Sequence, residues 1–123
     1  MYYIYIIRTE RNTLYTGITS DVKRRMREHL GLHGKGAKYT RSNKPVSIEA
    51  LWSCNEKGDA LRLEARIKRL TRSEKLEVIE NTAHPFPEAE EYTREQTDGI
   101  FPSCKERLKM RIVIKIVHHP FSL

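Results

Sequence analysis

Arg25 and His29 stand four residues apart in a stretch, Val22 to Leu30, whose apolar members Val22, Met26 and Leu30 repeat at helical spacing. Arg25 follows Val22 by three and His29 follows Met26 by three, so both border the apolar stripe instead of pointing straight at water. Glu64 holds the matching place in a second stretch, four after Ala60 and three before Ile67. A carboxylate at the edge of a buried face is costly unless it is paired or holds a metal. Tyr3 and Tyr5 share one side of an early strand, and Tyr15 can meet that side from the next one. Hydroxyls to orient water, a guanidinium for phosphate charge and a carboxylate for a divalent cation are the parts of a phosphodiester site. Each position also has a plainer reading: an ion pair, a side chain bent out to solvent, or tyrosines packed at the rim of a core. The combination carries the functional reading.

The elements that must position these groups follow from the pattern. Residues 2–8, YYIYIIR, are aromatic and β-branched and read as a strand, with Tyr3, Tyr5 and Ile7 on one side and Tyr2, Ile4 and Ile6 on the other. Leu14 to Ile18 reads as a second strand, so the chain opens with an antiparallel hairpin. Gly17 lies near its end, where a missing side chain lets something approach the backbone closely. Thr19, Ser20 and Asp21 are N-cap candidates for the first helix, which Gly31 and Gly34 end. The stretch from Gly31 to Pro45 is glycine-rich, basic and irregular, a surface loop. Val46, Ile48, Ala50 and Trp52 alternate and predict a third strand with those residues inward. Ala60 to about Leu70 reads as a second helix with the stripe Ala60, Leu63, Ile67 and Leu70, and Thr71 caps a third running to about Asn81. The order is ββαβαα over about residues 1–82. Residues 83–99 carry Glu88, Glu90, Glu91, Glu95 and Asp98 against Arg94, with two prolines, and read as a linker. Beyond it LKMRIVIKIV, residues 108–117, alternates and predicts a late strand, so residues 83–123 are taken as linker and tail.

Composition narrows the partner. The chain has 123 residues, 38% apolar and 32% charged, which suits one folded domain. Its longest uninterrupted apolar run is Met1 to Ile7, whereas a bilayer span needs about 20 residues. That run lacks a basic leader and is followed at once by charge, so it does not read as a signal peptide. Cys54 and Cys104 make neither a disulfide framework nor a metal spacing, and reduced thiols in a cytoplasmic protein are expected. Lysine and arginine number 23 against 16 acids, a net charge of +7. Much of the excess is local: Lys23, Arg24, Arg25, Arg27, Lys35, Lys38, Arg41 and Lys44 stand against Glu28 alone. Such segregation is an electrostatic footprint for a polyanion, with nucleic acid foremost.

Tyr3-Ile4-Tyr5, Tyr15-Thr16-Gly17 ten residues on, Arg25 ten further and Glu64 in a later helix together resemble the GIY-YIG nuclease superfamily. The loop GKGAKYTRSNKP and the helix ALRLEARIKRLTRSEK resemble its short stand-alone bacterial subgroup, the YhbQ-like proteins, over about residues 2–80. The resemblance implies an α+β fold with a small three-stranded antiparallel sheet flanked by helices, and divalent-metal-dependent hydrolysis of nucleic-acid phosphodiesters. It implies that Tyr5 or Tyr15 positions or deprotonates the attacking water, that Arg25 stabilises the charge of the pentacovalent phosphate, and that Glu64 holds one Mg²⁺ or Mn²⁺. His29 matches a position often histidine in such nucleases and would transfer protons. Two positions depart from the motif: Tyr3 stands for its leading glycine, and Thr16 for the middle residue of the second triplet.

The leading expectation is therefore an endonuclease acting on DNA, with Tyr5, Tyr15, Arg25, His29 and Glu64 as its site and no small-molecule cofactor. Lys23, Arg24, Arg27, Lys35, Lys38, Arg41 and Lys44 would bind the nucleic acid. The alternative is a non-catalytic nucleic-acid-binding module that keeps the basic helix and loop. A third reading, a protein-interaction domain, would use residues 108–117 to extend a partner's sheet.

Overall fold

A computed structural model describes residues 1–31 and 43–101. The order of elements is β1 (Tyr2–Thr9), β2 (Leu14–Thr19), α1 (Val22–His29), β3 (Pro45–Cys54), α2 (Lys57–Lys68), α3 (Arg72–Glu80) and β4 (Thr93–Arg94). The strands form one antiparallel sheet in the order β2-β1-β3-β4. The expected helix-flanked antiparallel sheet is present, with a short fourth strand added to the three foreseen. The late strand expected at 108–117, Cys104 and the loop cations Lys35, Lys38 and Arg41 lie outside the described residues. No helix among those described is long and apolar enough to cross a membrane.

Local chemistry sets the element ends. Thr9 to Thr13 closes the β1–β2 hairpin with a Thr9 N–H to Thr13 carbonyl bond of 2.9 Å, and Asn12 takes the left-handed conformation, φ 62°, that a three-residue hairpin loop requires. The Asp21 carboxylate caps α1 by accepting from the Arg24 N–H at 3.1 Å. Thr71 and Glu74 form a reciprocal capping box at the start of α3.

The sheet is covered on both faces. On one, Ile4, Ile6, Ala50 and Trp52 pack with Ala60, Leu63 and Ile67 of α2 and Val78 of α3. On the other, Tyr5, Ile7 and Leu51 pack with Val22 and Met26 of α1, with Tyr3, Tyr15 and Ile48 at the rim. This corrects the single inward face expected for β3. Leu51 is as buried as its neighbours, Val46 is 43% exposed, and Ile48 joins the α1 face. A register shift between Ile6 and Ile7 skips Glu49, and one extra residue turns every side chain beyond it to the opposite face.

The acidic segment read as a linker is braced against the domain between Pro85 and Glu95. Ala89 and Tyr92 are buried in the α2-side core, and Phe86 packs against it. The Tyr92 hydroxyl donates to the Asp59 carbonyl at 2.6 Å, the Arg66 guanidinium lies 3.5 Å over the Phe86 ring, and Glu95 N–H donates to the Leu51 carbonyl at 2.8 Å. Composition hides this because three apolar side chains among five acids suffice to seat a strap. Tyr92→Ala is expected to lower unfolding free energy by about 3 kcal/mol, as for other buried aromatics, measured by urea denaturation. A change below about 0.5 kcal/mol, the scale of an inconsequential surface substitution, would show that the strap contributes nothing.

Candidate active site at the sheet edge

β1 and β2 pair with Tyr5 opposite Gly17 and Ile7 opposite Tyr15, so both tyrosines look toward α1. Tyr5 lies across Gly17. A Cβ built there would sit 2.6 Å from the ring carbon Cζ of Tyr5 and overlap its hydroxyl, so only glycine fits. The foreseen close approach is made by the protein's own tyrosine.

His29 departs from its expected place at the border of the stripe, since it is fully buried. Val22, Met26 and His29 are the residues α1 turns inward, because 100° per residue brings position 29 closer to the centre of that arc than Leu30. The Tyr5 hydroxyl lies 2.7 Å from His29 Nε2, and the rings of Tyr5 and Tyr15 both meet the imidazole edge-on, with centroids 5.6 and 5.5 Å away. The Arg25 guanidinium interacts with the Tyr5 hydroxyl and favours its charged form. The hydroxyl donates to Nε2 when the imidazole proton sits on Nδ1 and accepts when it sits on Nε2.

The charges follow from burial. Desolvation pushes the Tyr5 hydroxyl well above its ordinary value, with Arg25 pulling it down and Tyr15 and Glu64 pushing it up. Desolvation and the nearby Arg25 charge lower His29 to about 4. For Arg25 burial opposes the charge, but the Tyr5 hydrogen bond and the Glu28 carboxylate outweigh it and raise its pKa. At neutral pH the site therefore holds a neutral tyrosine, a neutral imidazole and one fixed positive charge.

The buried imidazole has a stability consequence. Folded His29 stays neutral where the unfolded residue, at 6.5, takes up a proton. Its contribution is complete above pH 6.5 and is lost as pH falls through about 4. Urea unfolding at pH 4.5 should show about 2–3 kcal/mol less stability than at pH 7 from this group. His29→Gln should flatten that part of the profile, and an unchanged slope would show that the imidazole titrates normally.

Glu64 comes from the other side. α2 packs on the Ile4 and Ile6 face, so Glu64 does not share a face with Tyr5 and Tyr15. The two helices nevertheless turn comparable flanks to the same edge. The flank of α1 bearing Lys23 borders Leu51 and Glu95 on the β3 side, and the flank of α2 bearing Arg66 borders Phe86 and Tyr92. Arg25 and Glu64 occupy the opposite flanks of their helices, and the Glu64 charge helps to raise the Tyr5 hydroxyl. Tyr5, Tyr15, Arg25 and His29 therefore come together on the α1 side of the sheet, whereas Glu64, expected beside them, is carried by the helix on the opposite side.

Lys68 Nζ lies 3.3 Å from a Glu64 carboxylate oxygen, and Glu28 lies 3.7 Å from Arg25. Neither partner was singled out from the sequence, although i,i+4 and i,i+3 spacing on a helix makes both legible. Of the expected nucleic-acid contacts, Lys23 and Arg24 are exposed on α1, Arg27 is half-buried, and half-buried Lys44 sits at the start of β3 beside the hairpin loop. Among the described residues no three of histidine, cysteine, aspartate and glutamate come together as a metal-binding group. The donor set does not suit an all-protein cage. One carboxylate suits Mg²⁺ or Mn²⁺, whose other positions are filled by water and substrate oxygens.

No solved structure matches the chain. Relatives do. A UPF0213 protein of Cupriavidus necator is 46% identical over 74 residues, 60% of this chain and 78% of the relative. One of Halobacterium salinarum is 45% identical over 75 residues, 61% of this chain and 95% of the relative. One of Halalkalibacterium halodurans is 38% identical over 85 residues, 69% and 88% respectively. These names state no activity. The family model described as the GIY-YIG catalytic domain matches residues 1–77, and the chain belongs to the GIY-YIG family.

Proposed function

We propose that the chain binds DNA along the β2 edge and hydrolyses a phosphodiester bond there. The observation that carries this reading is the buried Tyr5–His29 pair, 2.7 Å apart beneath α1 with the Arg25 charge beside it.

In this reading Arg25 receives the phosphate and meets the negative charge that grows in the transition state. Tyr5 orients the attacking water through its hydroxyl and hands a proton toward His29 Nε2. Burial keeps both neutral at rest, and an approaching phosphate anion raises the basicity of His29. Tyr15 packs the imidazole against rotation. Glu64 would hold Mg²⁺ or Mn²⁺, and the ion when bound supplies Lewis-acid polarisation of the phosphate. Residues 1–82 are assigned as this unit, with the cations of α1 and the following loop drawing in the polyanion. The short stand-alone, YhbQ-like placement is supported by the Halobacterium relative, which is hardly longer than the matched domain.

A specific observation favours a second reading, a module that binds nucleic acid without cutting it. Glu64 is already paired with Lys68, and among the described residues no metal-binding group accompanies it. Labelled linear, flapped and single-stranded DNA, incubated with Mg²⁺, Mn²⁺ or EDTA, separates the two. Cleavage that EDTA abolishes supports hydrolysis. Salt-dependent binding with no cleavage of any substrate supports the binding module.

A further inference from the structure

Beyond the reacting residues, the tip of the β1–β2 hairpin gathers cations from three separate parts of the chain. Arg11 is exposed in the loop itself, and its N–H donates to the Asn43 side chain at 3.2 Å. Lys44 is fixed to the loop through two bonds with Glu10, its N–H to the carboxylate at 3.1 Å and its carbonyl from the Glu10 N–H at 2.8 Å. Arg72, exposed in the first turn of α3, donates to the Asn12 carbonyl at 2.7 Å. The mounting is rigid: buried Asn43 also donates to Thr13 Oγ1 at 3.1 Å, and the Thr9 and Thr13 hydroxyls are bonded at 2.6 Å.

We propose that this tip is a second phosphate-binding station, in which Arg11, Lys44 and Arg72 hold the DNA backbone beside the linkage under attack. The proposal rests on the DNA-binding reading above and extends it to residues outside the site. Thr13 and Tyr15 are two residues apart, about 7 Å along β2, on the order of two nucleotide steps of duplex DNA. The tip also joins the two strands that carry Tyr5 and Tyr15. Three cations against Glu10 make it complementary to a polyanion, and its cross-links fix the backbone that carries Arg11 and Lys44 and the guanidinium of Arg72, which lowers the ordering cost on binding.

The test is the salt dependence of duplex binding by the full chain. Each lost phosphate contact lowers the slope of log K against log salt by about 0.9, so Arg11→Gln with Arg72→Gln should lower it by about 1.8. Arg11→Gln alone should lower it by about 0.9, which keeps the test valid if the Arg72 change loosens α3. Arg62→Gln with Arg69→Gln removes the same charge from the far flank of α2 and should leave the slope unchanged. A neutral methylphosphonate near the linkage under attack should weaken wild type and leave the tip variant indifferent. An unchanged slope in the tip variants, or an equal fall in the far-flank variant, overturns the station alone. Wild type with no salt-dependent affinity overturns both the station and the DNA-binding reading.

Discussion

Glu64→Gln is expected to lower single-turnover cleavage by about 10²–10³-fold. The substitution keeps the volume and removes the charge, and a bound divalent ion supplies several kcal/mol of transition-state stabilisation. Mn²⁺ affinity measured by titration should fall in parallel, because among the described residues no group of three metal-binding side chains is there to replace it. DNA binding should hold or tighten slightly, since a negative charge leaves a basic edge and Lys68 is freed from its partner. If Glu64 serves only as the partner of Lys68, the variant loses no more than an exposed helical ion pair is worth, about 0.3–0.5 kcal/mol, and cuts normally.

Gly17→Ala should be nearly as damaging for a steric reason. The new methyl would stand 2.6 Å from Tyr5 Cζ, and the obstacle is a buried ring with no room to retreat, held by His29. Overpacking of this kind costs about 1–3 kcal/mol of stability. The larger loss falls on function, because relief requires Tyr5 to leave Nε2, and a displacement of about 1 Å at a reacting group costs on the order of 10²-fold. Thermal melting beside single-turnover cleavage checks both parts. An alanine variant that melts and cuts like wild type would mean that Tyr5 is free to move and is not held for chemistry.

What was legible in the sequence, and what was not, has physical causes. Arg25 and Glu64 stood out because a charge beside an apolar stripe breaks the helical pattern, and Gly17 because a strand interior disfavours glycine. The hairpin, the three helices and the Thr71 cap followed from period and capping chemistry, which are local. The burial of His29 depended on which arc of α1 faces the sheet, a tertiary choice between residues 29 and 30. The turning over of Ile48 depended on a bulge at Glu49, which no alternation reveals because the residues on both sides still alternate. Thr93–Arg94 is too short to show any period, and Arg94 is placed by long-range contacts, over Trp52 and to the carbonyls of Asn81 and Glu49. The electrostatic coupling of Glu64 to Tyr5 also lies beyond sequence reasoning, since α2 covers the face of the sheet opposite Tyr5.

That Glu64 and Tyr5 act as one centre across the sheet is the central claim, and a double-mutant cycle tests it most directly. Single-turnover cleavage of one labelled DNA substrate in Mn²⁺ would be measured for wild type, Tyr5→Phe, Glu64→Gln and the double variant, with melting curves for all four. Residues that act as one catalytic unit are strongly non-additive. The double variant should therefore be little slower than the slower single one, with all four folded. Losses that multiply, or that track the melting temperature, would contradict a single centre at the β2 edge, and a wild type that cuts nothing would contradict hydrolysis itself.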